Sequence, residues 1–200
     1  MAWGVNERPT PLPWGEGYSF TSSPKLGFSM GGALKLKGSG RTSFEIQLLY
    51  SYNRASYAYK YSDNNLLLRN NGDQAISFID VPLLVAYRLP ARLVSHLKAG
   101  VMPSKTVVAK AKNRRVNTMN QNTTQWDWDG KNSSFFKSSD IAVVAGAEVG
   151  ITRRFGLEFR FTRGLRNLFK ERRHDEYDET LDYLGTVKRS TGSIFLVLYL

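Results

Sequence analysis

The stretch TSFEIQLLYSYN, residues 42–53, alternates apolar and polar side chains with a period of two. The apolar set is Phe44, Ile46, Leu48, Tyr50 and Tyr52, and the other set is Glu45, Gln47, Leu49, Ser51 and Asn53. Successive side chains of a strand point to opposite faces, so one face can meet lipid while the other meets a polar interior. The stretch therefore predicts a strand with a hydrocarbon-facing side and an ion-bearing side.

Six further segments show the same alternation, at residues 25–37, 79–89, 94–104, 140–152, 156–167 and 193–200. Short turns fall at 38–41, 90–92 and 153–155, and long polar loops at roughly 7–24, 62–75, 105–138 and 168–190. Short turns on one side and long loops on the other are typical of outer-membrane barrels. We predict an all-β fold, an eight-stranded antiparallel up-and-down transmembrane β-barrel with long extracellular loops and short periplasmic turns.

Two irregularities accompany this pattern. Tyr57, Tyr59 and Tyr61 have the opposite parity to Tyr50 and Tyr52, and we expect a bulge or bend near residues 53–56 to restore the phase. Pro82 lacks the N–H that a strand ladder uses, and this predicts a bulge or an irregular pairing in the strand that contains it. The long stretch at 105–138 is expected to hold hairpin extensions above the membrane.

An even-numbered barrel needs an eighth strand, which we place near the N terminus. Trp3 and Val5 alternate with Ala2, Gly4 and Asn6, and could be the end of that strand. Because the strand is short and no export signal precedes it, we expect either a mature form with an added Met or a start placed downstream of the real one; the other alternative is a protein that is not exported. No linker or change in composition divides the chain, so we expect residues 1–200 to form a single domain.

Composition excludes a helical membrane protein but not a barrel. The mean hydropathy is −0.36, and the longest apolar runs, 81–87 and 194–200, are far shorter than the roughly 20 residues of a membrane helix. The formal charge is +11, with 28 Lys and Arg against 17 Asp and Glu. These charges are dispersed, which suits a surface facing lipopolysaccharide better than a stripe that binds nucleic acid.

Three segments carry a family resemblance: residues 44–51 (FEIQLLYS), 78–88 (FIDVPLLVAYR) and 160–168 (RFTRGLRNL). They resemble recurrent motifs of the PorT-like outer-membrane β-barrel family of Bacteroidetes, and residues 140–150 resemble its glycine-rich strand. The likeness covers most of the chain from about Leu26, and Pro82 stands where that family carries its proline. The resemblance implies an eight-stranded barrel in the outer membrane of a Gram-negative bacterium, and it supplies no catalytic site. The name-giving member is associated with type IX secretion, and no feature of this sequence is tied to that role.

The inward-facing positions collect charged and polar residues. They are Lys35, Glu45, Gln47, Asp80, Arg88, Lys98, Glu148, Glu158 and Arg160. An eight-stranded barrel is just wide enough for side chains to fill it, so we expect a paired, hydrogen-bonded plug with no open pore. The alternative interpretation of the same set is a path for protons or ions.

Side chains outside the predicted lumen suggest other chemistry. Trp126 and Trp128, in a long polar loop, are candidates for recognition of glycan or protein, although they could equally pack that loop down. Tyr50, Tyr52, Tyr87 and Tyr199 are candidates for aromatic girdles, or else ordinary strand aromatics. The sequence predicts no cofactor and no metal site, since it has two histidines, unclustered, and no cysteine.

Three hypotheses follow. The first is a non-enzymatic outer-membrane barrel, a structural or interaction protein of the envelope whose loops bind lipopolysaccharide or a protein, with a link to secretion machinery as one form. The second is a lipid-modifying barrel enzyme, which requires His174 and Asp175 close to a serine. The third is a soluble, lipocalin-like ligand carrier, which requires an apolar lumen and a polar exterior.

Overall fold

The computed structural model describes residues 18–38, 40–63, 66–90, 95–119, 122–131, 137–152, 154–166, 168 and 188–199. These residues form nine strands. They are β1 (Tyr18–Lys37), β2 (Thr42–Asp63), β3 (Leu66–Asp80), β4 (Leu83–Arg88), β5 (His96–Met119), β6 (Asn122–Lys131), β7 (Ser139–Gly150), β8 (Phe155–Gly164) and β9 (Ser190–Leu198). In this part of the chain no helix is long and apolar enough to cross a membrane.

The strands form one sheet in which each paired neighbour is antiparallel. The order is β1-β2-β3-β5-β7-β8-β9, with β4 between β2 and β5 and β6 added to β5. Apart from the interruption between β3 and β4 and the added strand β6, neighbours in the sheet are neighbours in sequence. The structure thus confirms an all-β antiparallel fold with up-and-down connections.

Strands β3 and β4 are two parts of one predicted strand, interrupted at Val81 and Pro82. The Pro82 carbonyl still accepts a hydrogen bond from the Gln47 amide at 3.0 Å, and the Val81 amide donates to the Pro103 carbonyl at 2.9 Å. The backbone groups around the proline are therefore satisfied outside the regular ladder. The predicted irregular pairing at Pro82 is confirmed.

The predicted bulge in β2 is wrong. Pairing between β2 and β3 is continuous from Leu49↔Asp80 to Asp63↔Leu66, so the side chains of β2 alternate without a change of phase. Tyr57 accordingly falls on the inner face and is buried. The irregularity lies on the neighbouring strand, where the register shifts between Lys25 and Phe28 of β1, opposite Asn53.

Much of the sequence predicted as loops continues the sheet. Residues 66–75 belong to β3, and β5 runs on to Met119, where β6 folds back on it with Met119↔Asn122 and Lys110↔Lys131 as limiting pairs. Polar residues in these extensions hid their strand character, although a hairpin was expected at 105–138. The strands thus extend well past the apolar part of the sheet.

The outer face of the sheet is largely apolar, and the inner face carries the buried charged side chains. Large exposed hydrophobic side chains recur at every second position, as in Leu34 and Leu36 of β1, Phe159 and Phe161 of β8, and Leu196 of β9. The buried set between them includes Glu45, Lys98, Glu148, Glu158 and Arg160. A soluble carrier would need the opposite arrangement, because exposed apolar surface on this scale is costly in water.

Within the described residues, β1 pairs with β2 and β9 pairs with β8, and these two strands end the path. The eighth strand predicted at residues 2–6 lies outside the described residues. Gly40, in the turn between β1 and β2, adopts φ +66°, which favours glycine.

Candidate functional site: ionic layers inside the sheet

The inner face carries two polar layers separated by apolar side chains. The rim cluster, near the short turns, comprises Glu45, Gln47, Lys98, Glu148, Glu158 and Arg160, all of them buried. The second polar layer comprises Asp80, Ser104, Asp140 and Arg189. Leu84, Met102, Ala142 and Val144 pack between the two layers, and Ile76, Phe78, Ala109 and Leu168 pack beyond the second.

Lys98 is the centre of the rim cluster. Its Nζ lies 2.8 Å from Glu45 Oε2, 2.6 Å from Glu148 Oε2 and 2.7 Å from Glu158 Oε2. Glu148 and Glu158 stand directly opposite each other on β7 and β8. Two like charges in that position repel, so the shared ammonium group is what makes the pair tolerable.

Small residues make room for the long side chains of this cluster. Lys98 pairs with Ala86 on one side and with Gly146 on the other, and Gly146 in turn pairs with Arg160. A Cβ on Gly146 would lie 2.7 Å from the Phe159 carbonyl oxygen, so the backbones approach too closely for a side chain there. The glycine-rich pattern of β7 thus serves the packing of the cluster.

Arg160 joins strands that are far apart in the sheet. Its Nε donates to Glu158 Oε1 at 2.7 Å and its Nη2 donates to Gln47 Oε1 at 2.8 Å. Gln47 also donates to Glu45, and the guanidinium lies 4.6 Å from the centre of the Phe195 ring. In a flat sheet β2 and β8, four steps apart, would be about 19 Å from each other. The sheet therefore curls until its inner faces meet.

A chain of side chains extends the rim cluster toward the turns. The Tyr199 hydroxyl donates to Glu148 Oε1 at 2.6 Å, and His96 Nδ1 lies 3.1 Å from the same oxygen. Lys35 Nζ lies 3.2 Å from His96 Nε2. Since an ammonium group can only donate, Nε2 accepts and Nδ1–H donates to the carboxylate, which defines the tautomer of a neutral imidazole.

In the second polar layer Arg189 makes a two-pronged contact with Asp80. Nη1 donates to Oδ1 at 2.8 Å and Nη2 donates to Oδ2 at 2.7 Å, and Nη1 also reaches Ser104 Oγ at 3.2 Å. The guanidinium lies 4.4 Å from the centre of the Phe78 ring. Asp140 Oδ1 accepts from the Ile141 amide at 2.8 Å, whereas Asp140 Oδ2 is buried with no hydrogen-bond partner among the described residues.

The structure places the predicted lumen residues in three ways. Glu45, Gln47, Lys98, Glu148, Glu158 and Arg160 meet in the rim cluster, and Asp80 lies in the second polar layer. Lys35 is exposed; it pairs with Glu45 across β1 and β2, and its ammonium group lies against His96. Arg88 has the predicted inward parity, since it pairs with His96 opposite Glu148, but as the last residue of β4 it is exposed.

Two inner residues that flank β9 are not among the predicted lumen residues. The sequence pattern places Arg189 in the last long loop and makes Tyr199 a candidate for an aromatic girdle. Counting back by twos from Val197 places Arg189 on the inner face, and counting forward places Tyr199 there. The alternation of side chains therefore predicts the inner face for both residues, once the strand is taken to begin near Ser190, as it does in the structure.

The other candidates are placed less fully. Trp126 and Trp128 lie in β6, in register with Arg115 and Asn113. His174 lies outside the described residues. Among the residues that the structure describes, no group of three or more His, Asp or Glu could hold a metal ion.

An apolar exterior, an ionic interior and antiparallel up-and-down strands define the class of membrane β-barrel proteins. The chain belongs to the family of the outer membrane protein beta-barrel domain, which it matches over residues 12–170. Neither a curated protein nor a solved structure matches the chain.

Proposed function

We propose that this protein is a closed, eight-stranded barrel of a Gram-negative outer membrane, with a lumen filled by side chains and a non-enzymatic role. The observation that carries the proposal is the contact of Arg160 with Gln47 across the interior, because it brings β8 against β2 and leaves ionic side chains in the space between. Eight strands enclose just enough room for such a filling. The resemblance to the PorT-like family of Bacteroidetes supports the same strand number.

The plug argues for a structural or interaction role over transport. Lys98 and Arg160 neutralise two of the three glutamates, and Lys35 lies beyond His96 at the margin of the cluster. Groups bound this tightly are poor ion carriers, since each must give up short charged hydrogen bonds to pass a proton or an ion. Apolar layers on either side of Asp80 and Arg189 close the interior further.

Reconstitution into planar lipid bilayers tests the absence of a pore. On gels, the purified protein should run as a band whose migration shifts after heating. In the bilayer it should give no stable conductance steps, while a porin reconstituted in parallel gives them. Stable conductance that scales with salt concentration would contradict the filled lumen. A band that never shifts with heat would contradict the barrel itself.

The extended strands β3, β5 and β6 are the proposed contact surface for a partner of the envelope or of secretion machinery. They continue the sheet beyond the apolar face and carry Trp126 and Trp128 on one strand. Aromatic residues on such extensions are common anchors in protein recognition. Cross-linking in native outer membranes should capture a defined partner with the wild type and lose it with Trp126→Ala plus Trp128→Ala. Capture unchanged by the double substitution would place the contact elsewhere.

A further inference from the structure

The outward face of β2 changes chemistry in a fixed order along the strand. Phe44, Ile46 and Leu48 are exposed aliphatic or aromatic side chains, Tyr50 and Tyr52 follow, and Arg54 comes next, also exposed. Phe28 of β1 lies against both tyrosines, with ring centres 6.0 and 5.6 Å apart. Hydrocarbon, then amphipathic aromatics, then a cation is the order of layers that a protein surface meets on leaving a bilayer.

The cation at the end of β2 is part of a row. Lys25 of β1 pairs with Arg54, Arg54 pairs with Ala75 of β3, and Ala75 pairs with Lys110 of β5. Directly paired residues point to the same face of a sheet, so these three cations share the outer face at one level. With neighbouring strands about 4.8 Å apart, the row is roughly 15 Å wide. Lys105 is also exposed, and it pairs with Ile79, four residues along β3 from Ala75.

Among the described side chains, the carboxylate of Asp73 lies beside this basic row. Asp73 Oδ1 accepts from Lys25 Nζ at 2.6 Å and from Ser56 Oγ at 2.7 Å. These hydrogen bonds and the nearby charge of Arg54 lower the pKa of Asp73, so it is ionised at neutral pH. Three cations against one carboxylate leave the row with a net positive charge, and Arg54 and Lys110 are both exposed.

We propose that the basic row of Lys25, Arg54 and Lys110 binds the phosphate groups of an anionic lipid whose acyl chains lie on the apolar face below. The inference rests on the proposed membrane location, and it names the lipid class and the site. Continuity with the apolar face selects a lipid over a soluble phosphate, because the chains and the headgroup then gain contacts from one molecule. A row of three cations offers charge to more than one phosphate, so a headgroup with two phosphates, as in lipid A, is the preferred ligand.

Lipid binding in zwitterionic detergent micelles tests the site. Purified protein is titrated with phosphatidylglycerol, lipid A or phosphatidylcholine, and bound lipid is counted by native mass spectrometry. Arg54→Gln plus Lys110→Gln should weaken retention of both anionic lipids about fivefold for each cation removed, the effect of one cation near an anionic surface. Asp73→Asn should strengthen retention, and phosphatidylcholine should respond to neither change.

The matched control is Arg41→Gln plus Arg154→Gln, which removes the same charge at the opposite end of the sheet. If this control weakens retention as much as the row variant, net charge and not a site governs binding, and the proposal is overturned. It is also overturned if inorganic phosphate displaces the lipid, or if the row variant binds like the wild type. Heat-shifted gel migration of each variant reports the barrel separately, so loss of lipid binding leaves the proposed fold standing.

Discussion

The rim cluster and the second polar layer both hold buried carboxylates, but they pair them with cations in different ways. At the rim, one lysine serves three glutamates from three strands, and neighbouring side chains complete the carboxylates. In the second polar layer, one arginine serves one aspartate, and a second aspartate keeps an oxygen without a hydrogen bond among the described residues. The rim cluster is thus a network, whereas the second polar layer is a clamp on a single pair.

The difference shows how the last strand is held. Arg189 precedes β9 and binds Asp80 of β3, while Tyr199 follows β9 and binds Glu148 of β7. Phe195, in the middle of β9, lies under the Arg160 guanidinium. Each polar layer therefore fixes one end of β9 from inside the sheet, in addition to the ladder with β8.

The largest expected effect is that of Lys98→Met. Three buried carboxylates would lose their common cation, and removing one partner of a buried ion pair costs about 3–5 kcal/mol. The free energy of unfolding, measured by urea titration in lipid vesicles, should fall by that amount or the variant should fail to fold. Lys37→Met, at the exposed end of β1, is the control and should change stability by less than about 0.5 kcal/mol. Equal losses of stability at the two positions would contradict the claim that Lys98 stabilises the fold by pairing with the three glutamates.

Arg189→Met should have a smaller effect than Lys98→Met, about 3 kcal/mol, because a single carboxylate is left unpaired. Adding Asp80→Leu should recover most of the loss, since an apolar pair can replace a buried ion pair at little cost. The double-mutant cycle separates the pair from its surroundings. A double variant as unstable as Arg189→Met alone would mean that Arg189 acts through other contacts.

The two aspartates of the second polar layer should respond unequally to loss of charge. Asp80→Asn removes half of a charged, two-pronged contact and should cost about 1.5–3 kcal/mol. Asp140→Asn retains the oxygen that accepts from Ile141 and should change stability by less than about 1 kcal/mol. The same urea titration measures both. A larger loss for Asp140→Asn would reverse the roles assigned to the two carboxylates.

The smallest expected effect concerns pH and the strand extensions, where Asp73 binds Lys25. Because the pKa of Asp73 is lowered in the folded state, its stabilisation is present above the unfolded pKa and is lost as the pH falls through the folded one. Both side chains are partly exposed, so the change is a few tenths of a kcal/mol at most. The protection factors of amides at the tips of β1–β3, corrected for the intrinsic pH dependence of hydrogen exchange, should fall below about pH 4. Asp73→Asn should abolish that fall.

The membrane-facing part of the fold could be predicted from the sequence, because alternate residues of each strand are apolar where they face lipid and polar where they face the interior. Phe44, Ile46 and Leu48 and their inward neighbours needed no structure to be assigned. The polar extensions are not visible as strands in the sequence, since residues 69–74 of β3 (RNNGDQ) hold no apolar side chain and therefore give no alternation. Residues 66–75 form a strand because they pair with β5, as at Asn70↔Arg115, and a single sequence does not reveal such pairing between distant segments.

The site was predictable in composition but not in its connections. Glu45, Lys98 and Glu158 were identified from parity alone, whereas the sharing of Lys98 among three carboxylates depends on how tightly the sheet curls. Arg88 has the predicted parity but is exposed, because β4 ends at that residue. Arg189 was missed because the start of β9 is polar, so the strand was expected to begin three residues later than Ser190.

The central claim, that the apolar face of each strand meets lipid and the ionic face is enclosed, can be measured directly because the chain has no cysteine. Nitroxide labels on single cysteines at positions 44 to 51 of β2 would be probed in lipid vesicles with oxygen and with a water-soluble nickel complex. We expect high oxygen accessibility at 44, 46, 48 and 50, and low accessibility to both probes at 45, 47, 49 and 51. Oxygen accessibility that peaks at the odd positions, or that shows no period of two, would contradict it.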